Sequence, residues 1–190
     1  IRVADRYYTL GWRTKKKSVR PLSAPAMHAP RRKRSRQLLV CLGMPKHPYR
    51  LHFQPMPGTI ETVQRETSDF LSQLNDREKL LLRPGSEDYG WSTVEMMRRV
   101  APELEVDDLK TSAASRFAES TVVIHNYMGT SWLETLALDI PTLCFYDPRT
   151  YVFREPAQPY IDALERVGIV QRTGSSAATF LNKIAGRLEL

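Results

Sequence analysis

The 190-residue sequence lacks several features that would place it in a common class of protein. No apolar run approaches the roughly 18 residues that a membrane-spanning helix needs, and the first residues do not form an export signal. Only two cysteines occur, Cys41 and Cys144, and both lie inside apolar runs, which favours buried thiols over a disulfide or a metal pair. We therefore expect a cytoplasmic protein without a disulfide framework.

Metal-binding and nucleotide-binding motifs are also missing. The four histidines are scattered, with no histidine or carboxylate following at ligand spacing, so we expect no metal bound by protein ligands and no cofactor. The sequence has no Walker loop, no GxGxxG and no GxSxG. These absences disfavour kinase-like, NAD-dependent and serine-hydrolase functions.

The net charge of +7 is concentrated at the start of the chain. Residues 1–36 carry twelve Lys or Arg against one Asp, whereas residues 37–190 carry sixteen Lys or Arg against twenty Asp or Glu. The Pro- and Ala-rich "PLSAPAMHAP" lies between basic runs and cannot bury a core, which is typical of a solvated linker. The weaker alternative is contact with a polyphosphate or with an anionic membrane surface, which would make the protein peripheral at the inner face of the membrane.

The first residues indicate a domain that continues elsewhere. Residue 1 is Ile, and "ADRYYTLGW" has the composition of a strand for which we expect no partner before the linker. We therefore interpret the chain as a fragment. Residues 1–36 would be the end of an N-terminal domain and a basic linker, and residues 37–190 a separate domain.

From Gln37 onward, short apolar runs alternate with amphipathic stretches, which is the pattern of β-α-β units around a parallel sheet. The predicted strands are "QLLVCLG", "KLLLRP", "TVVIHNY", "TLCFY" and a short "IVQRT". The predicted helices are "TIETVQRETSDFLSQLN", "STVEMMRRVA", "SAASRFAES", the helix that begins at "SWLE", "PAQPYIDALERVG" and a closing helix from about Ser175. This order predicts an α/β fold with a Rossmann-like, doubly wound parallel sheet.

Ligands of such sheets bind beyond the carboxyl ends of the strands, and three loops have that position: "GMPKHPYR", "RPGSEDYGW" and "HNYMGTS". In the second loop, Arg83 could hold a phosphate with two hydrogen bonds, and the alternative is a surface ion pair with Glu87 or Asp88. An aromatic turn that suits stacking on a base or sugar ring follows and consists of Asp88, Tyr89, Gly90 and Trp91.

The third loop leads into a helix with two interpretations. "SWLE" fits a capping box, in which Ser131 accepts a hydrogen bond from the first turn and Glu134 reaches back to the N-cap. The same helix start could bind a phosphate, with Gly129 allowing close approach to the backbone. His125 and Asn126 are either satisfied strand-end residues or hydrogen-bond donors to a ligand.

Together, "ADRYYTLGW", "RPGSEDYGW" and "HNYMGTSWLETLALDIPTLCFYDP" resemble a transferase family associated with surface-carbohydrate biosynthesis. That family is related in pattern to the capsule-type Kdo transferases and other GT-B glycosyltransferases. The resemblance implies the C-terminal, donor-binding half of a GT-B fold, with Thr130 and Ser131 at the donor phosphates and Glu134 at the ribose. It also implies a nucleotide-sugar donor, a glycan acceptor, and a missing N-terminal domain that usually carries the catalytic base.

Two alternatives to a glycosyltransferase remain from the sequence. A sugar-nucleotide epimerase of the same fold needs a nucleotide sugar but no acceptor. A non-catalytic module could instead bind nucleic acid through the basic segment, although we expect no specific nucleic-acid partner.

Overall fold

The computed structural model describes residues 5–9, 15–21, 34–47 and 57–188. Two short strands near the start, β1 (Tyr7–Thr9) and β2 (Val19–Pro21), pair in parallel, with Tyr8 opposite Arg20. The expectation that the first strand has no partner before the linker is therefore wrong, because part of the basic segment is itself extended. Most of "PLSAPAMHAP" lies outside the described residues, so its linker role stays a prediction.

The second sheet has six parallel strands in the spatial order β5-β4-β3-β6-β7-β8. Their bounds are β3 (Arg36–Val40), β4 (Leu80–Arg83), β5 (Glu105–Val106), β6 (Ser120–His125), β7 (Thr142–Phe145) and β8 (Val170–Gln171). Counted from β3 as the first strand, this is the 3-2-1-4-5-6 order of a Rossmann-like sheet. The predicted α/β class with a parallel sheet is confirmed.

Six α-helices accompany the strands within the described ranges. They are α1 (Pro57–Gln73), α2 (Thr93–Val100), α3 (Ala113–Glu119), α4 (Ser131–Ala137), α5 (Gln158–Arg166) and α6 (Gly174–Leu188). Each corresponds to a helix predicted from the sequence. None of the described helices is both long and apolar enough to cross a membrane.

Buried side chains on both faces of the sheet form the core. Neighbouring residues of β3 point to opposite faces, so Leu39 packs with Phe70 and the other buried residues of α1 and α6, whereas Leu38 packs with Phe117 of α3. A third cluster surrounds Trp132 beside the outer strands β7 and β8. The two cysteines are free and buried, as predicted, and burial raises the pKa of the Cys41 thiol to about 12.

Candidate functional site

The three loops predicted to hold the ligand lie together at the carboxyl edge of the sheet. The chain leaves β3 toward β4 and β5 on one side, and leaves β6 toward β7 and β8 on the other, so a crevice forms between β3 and β6. A cavity of about 220 Å³ lies at this edge. Its lining comes from all three loops and from α1, and includes Gly43, Met44, Gly85, Asp88, Trp91, Asn126, Ile60, Val63 and Gln64.

Two glycines allow the loops after β3 and β4 to touch. A Cβ atom on Gly85 would lie 2.7 Å from the Cα atom of Gly43. At that distance the two atoms would overlap, so the backbone of one loop would have to shift. A side chain at either position would therefore separate the loops and change the shape of the cavity between them.

The aromatic turn forms one wall of this cavity. The indole N–H of Trp91 donates to the carbonyl of Met44 at 2.9 Å, and the Lys46 ammonium lies 5.4 Å from the ring centroid. Asp88 accepts hydrogen bonds from the backbone N–H groups of Ser92 and Thr93, both at 2.8 Å, and the bond from Thr93 is the main cause of its lowered pKa. Asp88 therefore caps α2 and fixes the turn.

Two further residues of this turn, Tyr89 and Gly90, take positive φ angles of 54° and 84°. A positive φ is ordinary for glycine but costly for tyrosine, so neighbouring contacts must hold Tyr89 in place. Tyr89 is also one of the exposed large side chains. Its stacking on a ligand ring stays a prediction.

Arg83 lies at the end of β4, but its partner is neither Glu87 nor Asp88. Its guanidinium pairs with the buried carboxylate of Asp107, just after β5, and donates to the carbonyl of Thr111 at 3.1 Å. Arg116 binds the same carboxylate at 3.1 Å. Although burial opposes ionisation of Asp107, hydrogen bonds from the two arginines keep its pKa below the usual value. Arg83 is thus engaged in an internal ion network, and a phosphate contact stays a prediction.

Asn126 joins both sides of the crevice. Its side-chain oxygen accepts from the backbone N–H of Leu42 at 3.0 Å, and its side-chain nitrogen donates to the Thr67 hydroxyl at 3.0 Å. The side chain lines the cavity, yet it is almost fully buried. These bonds link the loops that follow β3 and β6 to each other and to α1, so the observed role of Asn126 is to fix the two sides of the crevice.

His125 is buried between two hydroxyl groups of α4. The Thr135 hydroxyl donates to the carbonyl of Trp132 at 2.9 Å, so it accepts from Nε2 of His125, which is 3.2 Å away. Nδ1 then accepts from the Ser131 hydroxyl at 3.2 Å. Burial lowers the pKa of His125 to about 3, so the ring is neutral near pH 7 and its observed bonds position α4.

The burial of His125 predicts a loss of stability in acid. In the unfolded chain the imidazole has a pKa of about 6.5. Below that pH the unfolded state therefore binds a proton at this imidazole, whereas the folded state leaves it unprotonated. The free energy of unfolding should therefore fall as the pH drops from about 6.5 toward 3. The contribution at pH 5 is roughly 2 kcal/mol, from about 1.4 kcal/mol per pH unit.

Urea unfolding at pH 7 and pH 5 measures this effect, and the variant His125→Gln serves as the reference because acidic residues contribute equally to both proteins. The wild type should lose about 2 kcal/mol more than the variant between the two pH values. An NMR titration of folded wild-type protein is an independent test. A His125 imidazole that titrates between pH 5 and 7 would contradict the prediction.

The start of α4 differs from the predicted capping box. Thr130 is the N-cap residue, and no described side chain accepts a hydrogen bond from the first turn. The Ser131 hydroxyl binds His125 instead, and the Glu134 carboxylate forms no hydrogen bond or ion pair within the described residues. The capping-box prediction is wrong, because α4 begins one residue earlier than the box requires, with Ser131 inside the helix and not at its N-cap.

Gly129 has a local steric role. A Cβ atom at this position would lie 2.1 Å from the Tyr127 hydroxyl oxygen, so the tyrosine ring lies directly against the glycine. Whether a phosphate approaches this backbone stays a prediction. Gly129 also lines an open depression of about 380 Å³, separate from the first cavity, with Tyr127, Met128, Thr130, Trp132, Leu133, Tyr151 and Phe153.

One charged group at the same edge was not predicted from the sequence. Asp147 lies two residues after the end of β7, is buried, and binds the exposed Arg149. Arg65 and Glu66 of α1 lie beside it. The motif "FYDPRT" could have indicated this group, because it places charged residues after a predicted strand. The other three loops were chosen for that same position.

A family model described as LIC12162 family transferase matches residues 1–190. No curated protein and no solved structure matches the chain.

Proposed function

The chain belongs to the LIC12162 family of transferases, and we propose that it is a glycosyltransferase that binds a nucleotide-activated sugar for surface-polysaccharide synthesis. The observation that carries this proposal is the position of the cavity. It lies beside the β3–β6 crevice, where Rossmann-like sheets bind nucleotides. The sheet domain would be the donor-binding half of a GT-B enzyme.

The surroundings of the crevice offer the contacts that such a donor needs. Trp91 gives the cavity an aromatic wall for a base or sugar ring. The Glu134 carboxylate has no partner in the described part of the chain, which leaves it available to ribose hydroxyls. The Ser131 hydroxyl is already bonded to His125, so the Thr130 hydroxyl is the better candidate for a phosphate contact.

Glycosyl transfer breaks the bond between the anomeric carbon and the donor phosphate. The acceptor hydroxyl attacks that carbon and loses its proton to a base, while the phosphate leaves with an additional negative charge. Fixed donors at the carboxyl edge would stabilise that charge, since preorganised electrostatics contributes strongly to catalysis. In a GT-B arrangement the acceptor and the base come from the other domain, so we assign no catalytic base within this chain.

Calorimetric titration with UDP-, GDP- and CMP-sugars tests the proposal. We expect one nucleotide class to bind and to compete with the corresponding free nucleotide, because base and phosphate contacts are shared. The free sugar serves as the control and should bind far more weakly. Absence of binding by every nucleotide sugar in the panel would refute the proposal.

Two outcomes would instead favour the alternatives, which membership in a transferase family does not support. Turnover of the nucleotide sugar without an acceptor would indicate an epimerase. Loss of all ligand binding on deletion of residues 13–36 would indicate a module that works through its basic segment. Peripheral membrane contact of that segment stays a prediction.

A further inference from the structure

A pair of arginines lies at the carboxyl end of β7, on the same edge as the cavity. We propose that Arg65 and Arg149 bind the diphosphate of a UDP- or GDP-sugar donor, a group that CMP-sugars lack, and this inference rests on the proposed function.

Arg149 is held by a buried carboxylate and still faces solvent. Its Nε donates to Oδ1 of Asp147 at 3.0 Å, its Nη2 donates to Oδ2 at 2.6 Å, and its backbone N–H donates to Oδ1 at 2.8 Å. The arginine side chain is 80% exposed, whereas that of Asp147 is 6% exposed. A guanidinium has five N–H donors, so the two used here leave three for a ligand.

Arg65 approaches the same carboxylate from α1. Its Nη2 lies 3.9 Å from Oδ2 of Asp147 and 3.7 Å from Oε1 of Glu66, beyond hydrogen-bond distance. The side chain is 55% exposed. Glu66 is itself buried and accepts the backbone N–H of Gly174 at 2.9 Å. In this cluster of four side chains, the carboxylates of Asp147 and Glu66 are buried. The guanidinium groups of Arg65 and Arg149 lie on the solvent side of them.

The two carboxylates beside the arginines face the first residues of the loop that leads to Gly129 and Thr130. Asp147 and Glu66 line a narrow space between α1 and the loops after β6 and β7, together with Tyr127 and Met128. The Tyr151 hydroxyl joins these two loops by donating to the Met128 carbonyl at 3.0 Å. A diphosphate at the Gly129 loop would thus have cations from α1 and from the β7 loop beside it.

The leaving diphosphate needs such cations because the other predicted sources are weak. Arg83 pairs with Asp107, donates to the Thr111 carbonyl and has only 14% of its side chain exposed. Helix α4 has seven residues and therefore supplies only a partial charge from its dipole. Arginine binds phosphate oxygens bidentately, which matches the outward fork of Arg149.

Titration of the protein with inorganic pyrophosphate at low salt tests the proposal without a nucleotide. The wild type should bind, and Arg149→Gln and Arg65→Gln should each weaken binding by about tenfold or more, the usual effect of losing a charge-assisted bond. Arg149→Lys should recover only part of the affinity, because it keeps the charge and loses the fork.

Arg36→Gln is the matched control. Arg36 is also an exposed arginine paired with a carboxylate, that of Glu105, but it lies at the start of β3, on the opposite edge of the sheet. Its removal changes the net charge equally and should leave pyrophosphate affinity unchanged. Circular dichroism and melting curves verify that each variant is folded. Equal affinities for the wild type and for the folded Arg65 and Arg149 variants would overturn the proposal, as would a wild type that does not bind.

Nucleotide-sugar titrations of the same variants separate this inference from the proposed function. If a nucleotide sugar binds the wild type and both variants equally well, the function stands and the arginine site is refuted. If no nucleotide sugar binds but pyrophosphate binding depends on both arginines, the anion site stands and the function is refuted.

Discussion

Replacing Asp107 with Asn should lower the free energy of unfolding by about 3 kcal/mol, at the lower end of the loss typical for breaking a buried ion pair. The side chain of Asp107 is fully buried, and its two partners keep little contact with water, with Arg83 14% and Arg116 26% exposed. Asn has nearly the same shape but no charge. The substitution therefore leaves Arg83 without a counter-ion in a poorly solvated site, whereas Arg116 keeps Glu119 at 3.5 Å and Asp108 at 4.0 Å.

Thermal melts can measure this loss. For a domain of this size, roughly 2–4 °C in Tm corresponds to 1 kcal/mol, so we expect the Asp107→Asn midpoint to fall by about 6–12 °C. Asp108→Asn is a matched control at the next position. Its carboxylate is 53% exposed, lies 3.6 Å from the Lys110 ammonium and approaches Arg116 only to 4.0 Å, so that variant should change stability by less than about 0.5 kcal/mol. Equal midpoints for the two variants would show that the network does not stabilise the fold.

The same network explains why the partner of Arg83 was not predictable. Strand β5 consists of the charged Glu105 and of Val106, so no apolar run marks it in the sequence, whereas the equally short β8 directly follows the apolar Ile169. Without β5, the sequence gives no reason to expect Asp107 beside the end of β4. Glu87 and Asp88, which are close to Arg83 in sequence, were therefore the expected partners of its guanidinium. The longer strands were predictable from their continuous apolar runs, and the six described helices from the amphipathic stretches between those runs.

The gathering of the three loops was likewise predictable, whereas the roles of their side chains were not. Parallel strands put their carboxyl ends on one edge, so the alternation of strands and helices was sufficient to place the loops. Hydrogen-bond partners depend on tertiary contacts. Asn126 binds Thr67 and Leu42, which are 59 and 84 residues away. His125 accepts a hydrogen bond from the Ser131 hydroxyl, a group that local sequence rules assign to a helix cap.

Glu134→Gln should separate ligand binding from stability more cleanly than any other change at this edge. The carboxylate has no hydrogen-bond or ion-pair partner among the described residues, so the substitution should leave the melting curve nearly unchanged. If the carboxylate accepts hydrogen bonds from two ribose hydroxyls, the amide weakens one bond and turns a donor toward a donor hydroxyl. The affinity for the nucleotide sugar should then fall roughly ten- to a hundred-fold, or about 1.5–3 kcal/mol.

Glu95→Gln is the matched control for this experiment. Glu95 also lies in the first turn of a helix, α2, where it is exposed and bonded to Arg99 at 2.7 Å. Its loss should cost a few tenths of a kcal/mol in stability, the usual worth of such a pair, and should leave donor affinity unchanged. A Glu134→Gln protein that melts normally and binds the donor as tightly as the wild type would exclude the ribose role. A normal melt with a large affinity loss, seen only at Glu134, would support the ribose contact at the start of α4.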